Sequence, residues 1–341
     1  MCTKYFLFQH RMSRHKANRS QLHILIVKTS SMGDVIHNLP VVSDIAHYYP
    51  SSHIEWLVEE SFSPIPKMHP AVSSVIPVAI RRWRKSLLSR STFYEWSILR
   101  AILRSRRYDY VIDTQGLLKS ALLARLADGV KCGFDWTSSR EPIASFLYQK
   151  TYHVPNNLHA VDRNRNLAAL ALGFRTTGYA NFGIHTPIVP RPGWLEEGHY
   201  AVFLHSTSRT NKLWNESNWQ ELGLALLKMG LHVLLPWGSE PEFQRSQRLA
   251  AKIPNSICPP KLTLENMAAL LGNASVAIGV DTGLAHLACA LNVPTIGIYT
   301  ATDPILTGLY PNSNIINLGG IEQAPSVSDV IAALDRIMPC R

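Results

Sequence analysis

The chain has 341 residues, of which 46% are hydrophobic and 17% charged, so it is globular and long enough for two domains. Its most apolar region, 275–299, is interrupted by Asp281, His286 and Pro294, so the sequence predicts no membrane-spanning helix. The five scattered cysteines lack CxxC spacing, which argues against a disulfide framework or a structural zinc site and favours a reducing compartment.

The net charge of +10 is confined to the first half of the chain. Residues 1–150 hold 21 Lys and Arg against 11 Asp and Glu, whereas residues 151–341 hold 13 of each kind. A basic surface on one domain predicts an anionic partner, either acidic lipid, nucleic acid or an acidic substrate. The alternative is an ordinary solvated basic face. Trp83 within the run Arg-Arg-Trp-Arg-Lys favours the partner, because an amphipathic ring suits a wet interface.

Strand and helix signals alternate along the chain. The first half predicts strands at 23–27, 54–58, 75–79 and 110–112, with helices beginning near Asp34 and covering 92–106 and 117–127. The second half predicts strands at 201–204, 231–235, 275–280 and 294–299, with helices at 216–228, from Glu240, at 263–271 and at 326–338. This alternation predicts an α/β fold of two Rossmann-like domains, whose parallel sheets face a central cleft.

The expected domain boundaries follow from composition. Residues 1–20 are predicted to be a disordered extension, and residues 21–183 form the first domain. A stretch rich in proline and glycine, 184–198, is the predicted linker. Residues 199–325 form the second domain, and the terminal helix 326–338 is a candidate to pack back on the first.

The segment Asp281-Thr282-Gly283, with His286 three residues later, follows a buried apolar run and opens a helix of small residues. The first backbone N–H groups of such a helix are unpaired and attract phosphates. Gly283 is expected to let a ligand approach the backbone, and His286 to reach the same ligand. The segment therefore predicts a phosphate-bearing donor, and an ordinary turn with an Asp cap is the alternative.

Five ordered motifs occupy residues 26–35, 78–85, 113–120, 235–238 and 281–286. They resemble the lipopolysaccharide heptosyltransferases of glycosyltransferase family 9, and the resemblance covers about residues 22–338. The chain is most similar to the branch that uses a Kdo acceptor. One departure is Thr300-Ala301-Thr302, where the family usually shows Gly-Pro-Thr.

This resemblance implies a GT-B fold, an ADP-heptose donor, a Kdo-lipid A acceptor and transfer with inversion at the anomeric carbon. It implies neither a cofactor nor a metal, in agreement with the missing Asp-x-Asp pair. The implied location is peripheral, at the anionic surface of the cytoplasmic face of the inner membrane.

Asp34 is the candidate catalytic base, because it follows the first strand in a glycine-containing turn at the cleft. A carboxylate within hydrogen-bond reach of the acceptor hydroxyl can accept its proton. The alternative is that Asp34 only caps the next helix, and the resemblance favours catalysis.

The expected donor-binding residues all lie in the second half. Hydroxyl, ammonium and helix N-terminal groups would stabilise charge on the departing diphosphate, a carboxylate would hold the ribose diol, and an apolar wall would pack on adenine. The diphosphate groups are Thr207, Ser208, Lys212, Thr282 and Gly283, the ribose carboxylate is Glu242, and the adenine wall is Leu262. Asp281 is expected to bind the heptose hydroxyls, and His286 a sugar or a phosphate.

The expected acceptor-binding residues lie in the basic half. Arginine's planar fork matches the carboxylates of Kdo and the phosphates of lipid A. These residues are Arg81, Arg84, Lys85 and Arg140, with Gln115 and Lys119 lining the same wall. The other arginines, between 100 and 107, are expected to form a patch that faces the membrane.

Three competing interpretations remain. A nucleic-acid-binding module would use the basic half, but no recognisable motif is present and no nucleic-acid partner is expected. An NAD-dependent dehydrogenase requires Gly-x-Gly-x-x-Gly after a strand, whereas 28–33 has one glycine. A heptosyltransferase II acting on a heptose acceptor is the alternative within the family, and segments 29–32 and 81–84 argue against it.

Overall fold

The structure is a computed structural model that describes residues 21–86, 89–195 and 197–338. The predicted extension at 1–20 lies outside the described residues. Two parallel sheets, each flanked by helices, form two domains. The predicted α/β architecture with two Rossmann-like domains is confirmed.

The first domain contains a six-stranded sheet whose pairs are all parallel. Its strands are β1 (His23–Val27), β2 (His53–Glu59), β3 (Val72–Val78), β4 (Arg107–Asp113), β5 (Asp128–Phe134) and β6 (Lys150–Tyr152), in the order β3-β2-β1-β4-β5-β6. Its helices are α1 (Met32–Ile36), α2 (Leu39–Tyr48), α3 (Pro64–Lys67), α4 (Ile80–Trp83), α5 (Arg90–Arg104), α6 (Leu118–Ala124) and α7 (Ala160–Leu172), with 3₁₀ turns at Glu60–Phe62 and Pro142–Leu147.

The second domain contains a five-stranded parallel sheet. Its strands are β7 (Tyr200–Leu204), β8 (His232–Leu234), β9 (Val276–Val280), β10 (Thr295–Tyr299) and β11 (Ile315–Gly319), in the order β11-β10-β9-β7-β8. Its helices are α8 (Glu216–Lys228), α9 (Glu240–Ala250), α10 (Leu264–Gly272), α11 (Gly283–Ala290), α12 (Pro304–Thr307) and α13 (Val327–Ile337), with a 3₁₀ turn at Thr210–Lys212.

The terminal helix α13 packs against α8, β10 and β11 of the second domain. Val330 and Leu334 are fully buried in the core of that domain. The option that this helix packs back on the first domain is therefore wrong, because its apolar stripe is covered by the second sheet.

Helices cover both faces of the first sheet, which explains why β1 reads as an almost unbroken apolar run. On one face, Leu99 and Leu103 of α5 and Leu123 of α6 share a core with Leu25 and Val27 of β1. Consequently α5 and α6 pack on the same face of the sheet, with their other sides turned outward. Each helix within 21–86, 89–195 and 197–338 is too short or too polar to span a bilayer.

Candidate active site

The two domains meet where α1 packs against α11. A Cβ atom on Gly283 would lie 2.7 Å from Met32 Cβ, and one on Gly33 would lie 3.1 Å from His286 Cδ2. The first contact could not form unless Met32 moved, and the second is tighter than most Cβ contacts, so both glycines favour the close approach of the helices. Gly283 was expected to leave room for a ligand; the structure places the Met32 side chain where a Cβ would lie, and the ligand contact of the Gly283 backbone stays a prediction.

A pair of buried histidines extends this contact. His37 Nε2 and His286 Nδ1 are 3.0 Å apart, and both side chains are almost fully buried. Burial lowers the pKa of His286 to about 4 and holds the pKa of His37 well below its usual value, with the neighbouring His286 and His159 adding to the shift. Both rings are therefore neutral near pH 7. Burial against His37 leaves His286 at the domain interface, which departs from the expected contact with sugar or phosphate.

Asp34 lies on α1, at the carboxyl end of β1. Its Oδ2 accepts hydrogen bonds from the backbone N–H of Ser31 at 2.9 Å and the Ser31 hydroxyl at 3.1 Å. Its Oδ1 forms an ion pair with Arg140 Nη2 at 2.5 Å. The carboxylate therefore closes the start of the helix, as the capping alternative expected, and also contacts a residue expected to bind the acceptor.

The charge on Asp34 results from opposing effects. Burial by itself raises the pKa of this carboxyl, but the positive charges of Lys28 and Arg140 outweigh burial, together with hydrogen bonds from Arg140 and Ser31. The pKa of Asp34 is consequently held well below its usual range. The group is ionised at neutral pH, as a proton acceptor must be.

Lys28 is a functional candidate that the sequence analysis did not identify. Its ammonium group is buried, and Nζ donates to the carbonyl oxygen of Thr114 at 2.7 Å and to Asn164 Oδ1 at 3.4 Å. Burial lowers the pKa of Lys28 to about 8, although the nearby Asp34 charge opposes this shift. A lysine at the end of an otherwise apolar strand was the available signal, since buried ammonium groups are rare without a specific partner.

Gln115 has a role different from the expected acceptor contact. Its side chain is buried, its Oε1 accepts from the backbone N–H of Thr29 at 2.9 Å and of Ser30 at 3.2 Å, and its amide donates to the Ser30 carbonyl oxygen. Gln115 therefore holds the loop that leads to Asp34. Lys119 donates to Ser30 Oγ at 3.2 Å and lies beside the same loop.

The basic segment after β3 lies at the same edge of the sheet as Asp34. Because β2 separates β3 from β1, the two strand ends are roughly 10 Å apart. Arg81, Arg84 and Lys85 are exposed there, and Arg81 lies over the Phe62 ring at 4.8 Å. Glu59, which the sequence analysis missed, is buried below them and accepts from the Arg81 backbone N–H at 3.2 Å.

Trp83 does not lie at a wet interface. Its side chain is buried against α5, and its Nε1 donates to Glu95 Oε2 at 2.6 Å. The interpretation that Trp83 marks an interface is wrong, because the ring fills the core between α4 and the sheet. The arginines around it remain exposed.

On the donor side, Lys212 Nζ forms an ion pair with Asp281 Oδ2 at 2.6 Å. The Thr302 hydroxyl donates to the same oxygen at 2.8 Å, and the Thr207 hydroxyl donates to the Asp281 carbonyl oxygen at 2.9 Å. In the segment that departs from the family pattern, Thr300 donates to the carbonyl oxygen of Asn211 at 2.9 Å. The structure thus brings together Lys212, Thr207 and the Asp281-Thr282-Gly283 segment at the ends of β7, β9 and β10.

Glu242 and Leu262 occupy different parts of the second domain. Glu242 Oε2 accepts from the backbone N–H groups of Gly238 at 2.7 Å and Ser239 at 3.1 Å, so it caps α9. Leu262 lines a cavity of about 610 Å³ between the segment 189–198 and α10. Ser208 is exposed on the loop after β7. Across 21–86, 89–195 and 197–338, no three His, Cys, Asp or Glu side chains cluster as metal ligands would.

Comparison with known proteins gives concordant results. The model of the family described as glycosyltransferase family 9 (heptosyltransferase) matches residues 96–333. The chain is 45% identical over 310 residues to lipopolysaccharide heptosyltransferase 1 of Escherichia coli K12, covering 87% of this chain and 96% of the relative. It is 44% identical to the protein of the same name from Pseudomonas aeruginosa, covering 86% and 83%.

Solved structures show the same relationship. The E. coli heptosyltransferase WaaC with ADP superposes with a TM-score of 0.86 at 42% identity, covering 92% of this chain and 99% of that one. The E. coli ADP-heptose heptosyltransferase II superposes with a TM-score of 0.70 at 18% identity, covering 93% and 98%. These likenesses confirm the expected GT-B fold with its two Rossmann-like domains.

Proposed function

This chain belongs to glycosyltransferase family 9, the heptosyltransferases, and we propose that it transfers heptose from ADP-heptose to the Kdo of Kdo-lipid A. The transferred sugar is L-glycero-D-manno-heptose, and the reaction inverts its anomeric carbon. High identity over most of the chain to proteins named lipopolysaccharide heptosyltransferase 1 supports this acceptor. The likeness to heptosyltransferase II, at 18% identity, supports the shared fold alone.

The observation that carries the proposal is the packing of α1 against α11. This contact places the helix bearing Asp34 opposite the helix start that follows Asp281 and Thr282. A base from one domain therefore lies close to the anion-binding groups of the other. That arrangement suits direct displacement, in which a deprotonated acceptor oxygen attacks one side of the anomeric carbon while the diphosphate leaves from the other.

Asp34 would accept the proton of the Kdo hydroxyl as the new glycosidic bond forms. In the structure its Oδ1 is paired with Arg140, so this pair must separate before the carboxylate can contact a hydroxyl. An anionic acceptor would separate the pair, because its carboxylate or phosphate competes for the guanidinium group of Arg140. Departure of Arg140 would also raise the pKa of Asp34 and make it a stronger base.

The donor side supports the same mechanism. Lys212 is paired with Asp281 in the structure, and a diphosphate would compete for this ammonium group. Asp281 would then be released to accept hydrogen bonds from the heptose hydroxyls. Lys212, the Thr207 and Ser208 hydroxyls and the first N–H groups of α11 would stabilise the negative charge on the leaving ADP.

The proposal also places the enzyme peripherally at the cytoplasmic face of the inner membrane, where a lipid-anchored acceptor is available. Excess positive charge in the first half supports an anionic surface as partner. Arg100, Arg104 and Arg107 are exposed on that domain.

Incubation with ADP-heptose and Kdo-lipid A tests the reaction. We expect ADP release and one heptose mass increment on the lipid, with the opposite anomeric configuration to the donor by NMR. Transfer to a heptosylated acceptor but not to Kdo-lipid A would favour the heptosyltransferase II alternative. ADP release without a mass increment on either lipid would contradict both.

A further inference from the structure

A group of large apolar side chains is exposed on the first domain beside α6. Phe146 and Ile143, in the 3₁₀ turn Pro142–Leu147, have 75% and 58% of their surface exposed. Trp136, Leu118 and Leu122 are also exposed. We call these five residues the apolar surface: Leu118, Leu122, Trp136, Ile143 and Phe146.

The apolar surface is contiguous. The Trp136 and Phe146 rings lie 5.3 Å apart, and α6 packs against the 3₁₀ turn through a small core that contains Ala121 and Ala144. The backbone N–H of Leu118 donates to Glu141 Oε2 at 2.6 Å, which fixes the start of α6 to the same turn. Monomeric soluble proteins rarely expose large apolar patches unless those patches bind something.

This surface continues toward α5. Leu126, in the turn that follows α6, lines a groove of about 520 Å³ together with Phe93 and Trp96 of α5. Arg100 and Arg104 line the same groove. Neither arginine, nor the exposed Arg125, forms an ion pair with any residue that the structure describes. The apolar side chains are therefore bordered by positive charges that form no ion pair with the described acidic side chains.

We propose that the apolar surface, together with Phe93 and Trp96 of the adjoining groove on α5, inserts into an anionic lipid bilayer. Aromatic and aliphatic side chains enter the boundary between headgroups and acyl chains, while arginines at the rim contact lipid phosphates. The proposal rests on the proposed function, because a lipid-anchored acceptor is the reason for this enzyme to contact a bilayer. It adds the residues that bind lipid.

The position of the surface relative to the cleft gives it a functional consequence. Glu141 and Pro142 directly follow Arg140, which contacts Asp34. A bilayer bound to the apolar surface therefore lies next to the acceptor side of the cleft. A lipid-anchored acceptor would keep its acyl chains in the membrane while its sugar enters the cleft.

Vesicle sedimentation tests the proposal with the full chain. The probe is a vesicle of phosphatidylcholine with phosphatidylglycerol, and the variant is the double substitution Ile143→Ser and Phe146→Ser. We expect its partition coefficient to fall about tenfold or more, since lipid burial of each large apolar side chain is worth at least several-fold. The matched control is Tyr179→Ser with Ile188→Ser, two side chains that are almost fully exposed outside this surface, and it should partition normally.

A second measurement separates this proposal from the proposed function. With ADP-heptose and a deacylated, water-soluble acceptor, kcat and KM should be the same in the double variant and the unsubstituted enzyme. Activity on the soluble acceptor also reports that the variant is folded. Normal vesicle partition by the variant would overturn the proposal, and so would an equal loss in the control.

Removing the positive charges at the rim tests the electrostatic part of the proposal. The substitutions Arg100→Gln and Arg104→Gln should weaken partition into vesicles containing phosphatidylglycerol, by several-fold for each arginine removed, and leave partition into pure phosphatidylcholine unchanged. If the apolar surface instead joins two copies of this chain, sedimentation velocity will show a dimer that the double variant abolishes. A dimer that the double variant abolishes, with unchanged vesicle partition, would overturn the bilayer proposal and show that the apolar surface binds a second copy of this chain.

Discussion

Arg140 Nη2 lies 2.5 Å from Asp34 Oδ1, although 106 positions separate the two residues in the chain. The structure thus pairs the candidate base with a residue that we expect to bind the acceptor. The same pattern occurs across the cleft, where Lys212 is paired with Asp281. Both substrates are anionic in the proposed reaction, so each would replace an internal ion pair as it binds.

Replacing Arg140 with alanine should raise the acceptor KM about tenfold or more, because a charge-assisted hydrogen bond contributes about 1.5–3 kcal/mol. It should also move the pKa of Asp34 upward, since the pair holds that pKa low. An NMR titration of ¹³C-labelled aspartate measures this shift. Arg140→Lys, which retains the charge, should give a smaller shift, and an unchanged Asp34 pKa in Arg140→Ala would contradict the coupling.

Replacing Arg81, Arg84 and Lys85 together with alanine should raise the acceptor KM sharply and leave the donor Kd almost unchanged. These side chains are exposed at the acceptor edge of the first sheet, whereas the donor residues lie in the other domain. Steady-state kinetics with a water-soluble acceptor and calorimetry with ADP-heptose measure the two quantities.

The matched control for this triple variant removes the same charge from the second domain, through alanine at Lys228, Lys252 and Arg336, which are exposed there. The control should keep the acceptor KM. Unchanged kinetics of the first triple variant on the soluble acceptor would remove Arg81, Arg84 and Lys85 from the acceptor site.

The buried histidine pair predicts acid sensitivity of the domain contact. Burial depresses the pKa of His286 to about 4, so between the usual histidine value near 6.5 and pH 4 the unfolded chain binds more protons than the folded one. Stability is therefore fully present above about pH 6.5 and falls toward pH 4, by about 1.4 kcal/mol per pH unit for each such group.

Denaturant unfolding across this pH range measures the effect. His286→Gln should reduce the slope of stability against pH, whereas His199→Gln, at an exposed position, should retain it. An identical slope in the His286 variant would show that the buried pair does not produce the pH dependence.

Chelation should not affect turnover. In the proposed reaction, Lys212, hydroxyl groups and the start of α11 stabilise the negative charge on the leaving diphosphate, and they act without a divalent cation. We expect the same kcat before and after dialysis against EDTA. A loss of activity that added Mg²⁺ restores would contradict this assignment.

Much of the fold could be predicted because its strands are continuous apolar runs. Strand β1 and helix α8 have the predicted bounds, 23–27 and 216–228. Strand β5 was missed, because Asp128-Gly-Val-Lys-Cys-Gly-Phe134 contains two glycines and two charged residues and resembles a loop. Its strand conformation depends on pairing with β4 and β6, which is a long-range property.

The site was less predictable where a residue's role depends on a segment that is distant in the chain. Gln115 resembled a polar ligand in sequence, but its amide is used by the backbone of the loop before Asp34. Gly283 and His286 were expected to face a ligand, and the packing of α1 on α11 gives them Met32 and His37 as neighbours. Local sequence patterns contain no information about such contacts between distant segments.

The turnover of Asp34→Ala, measured beside its affinity for ADP-heptose, tests the assignment of the base most directly. We predict a fall in kcat of about 10²- to 10⁴-fold with an almost unchanged donor Kd, because Asp34 acts on the acceptor proton from the domain opposite the donor residues. Ser31→Ala, which removes a hydroxyl that donates to Asp34 but leaves the carboxylate, should lose far less activity. An Asp34→Ala enzyme with full kcat would contradict the assignment.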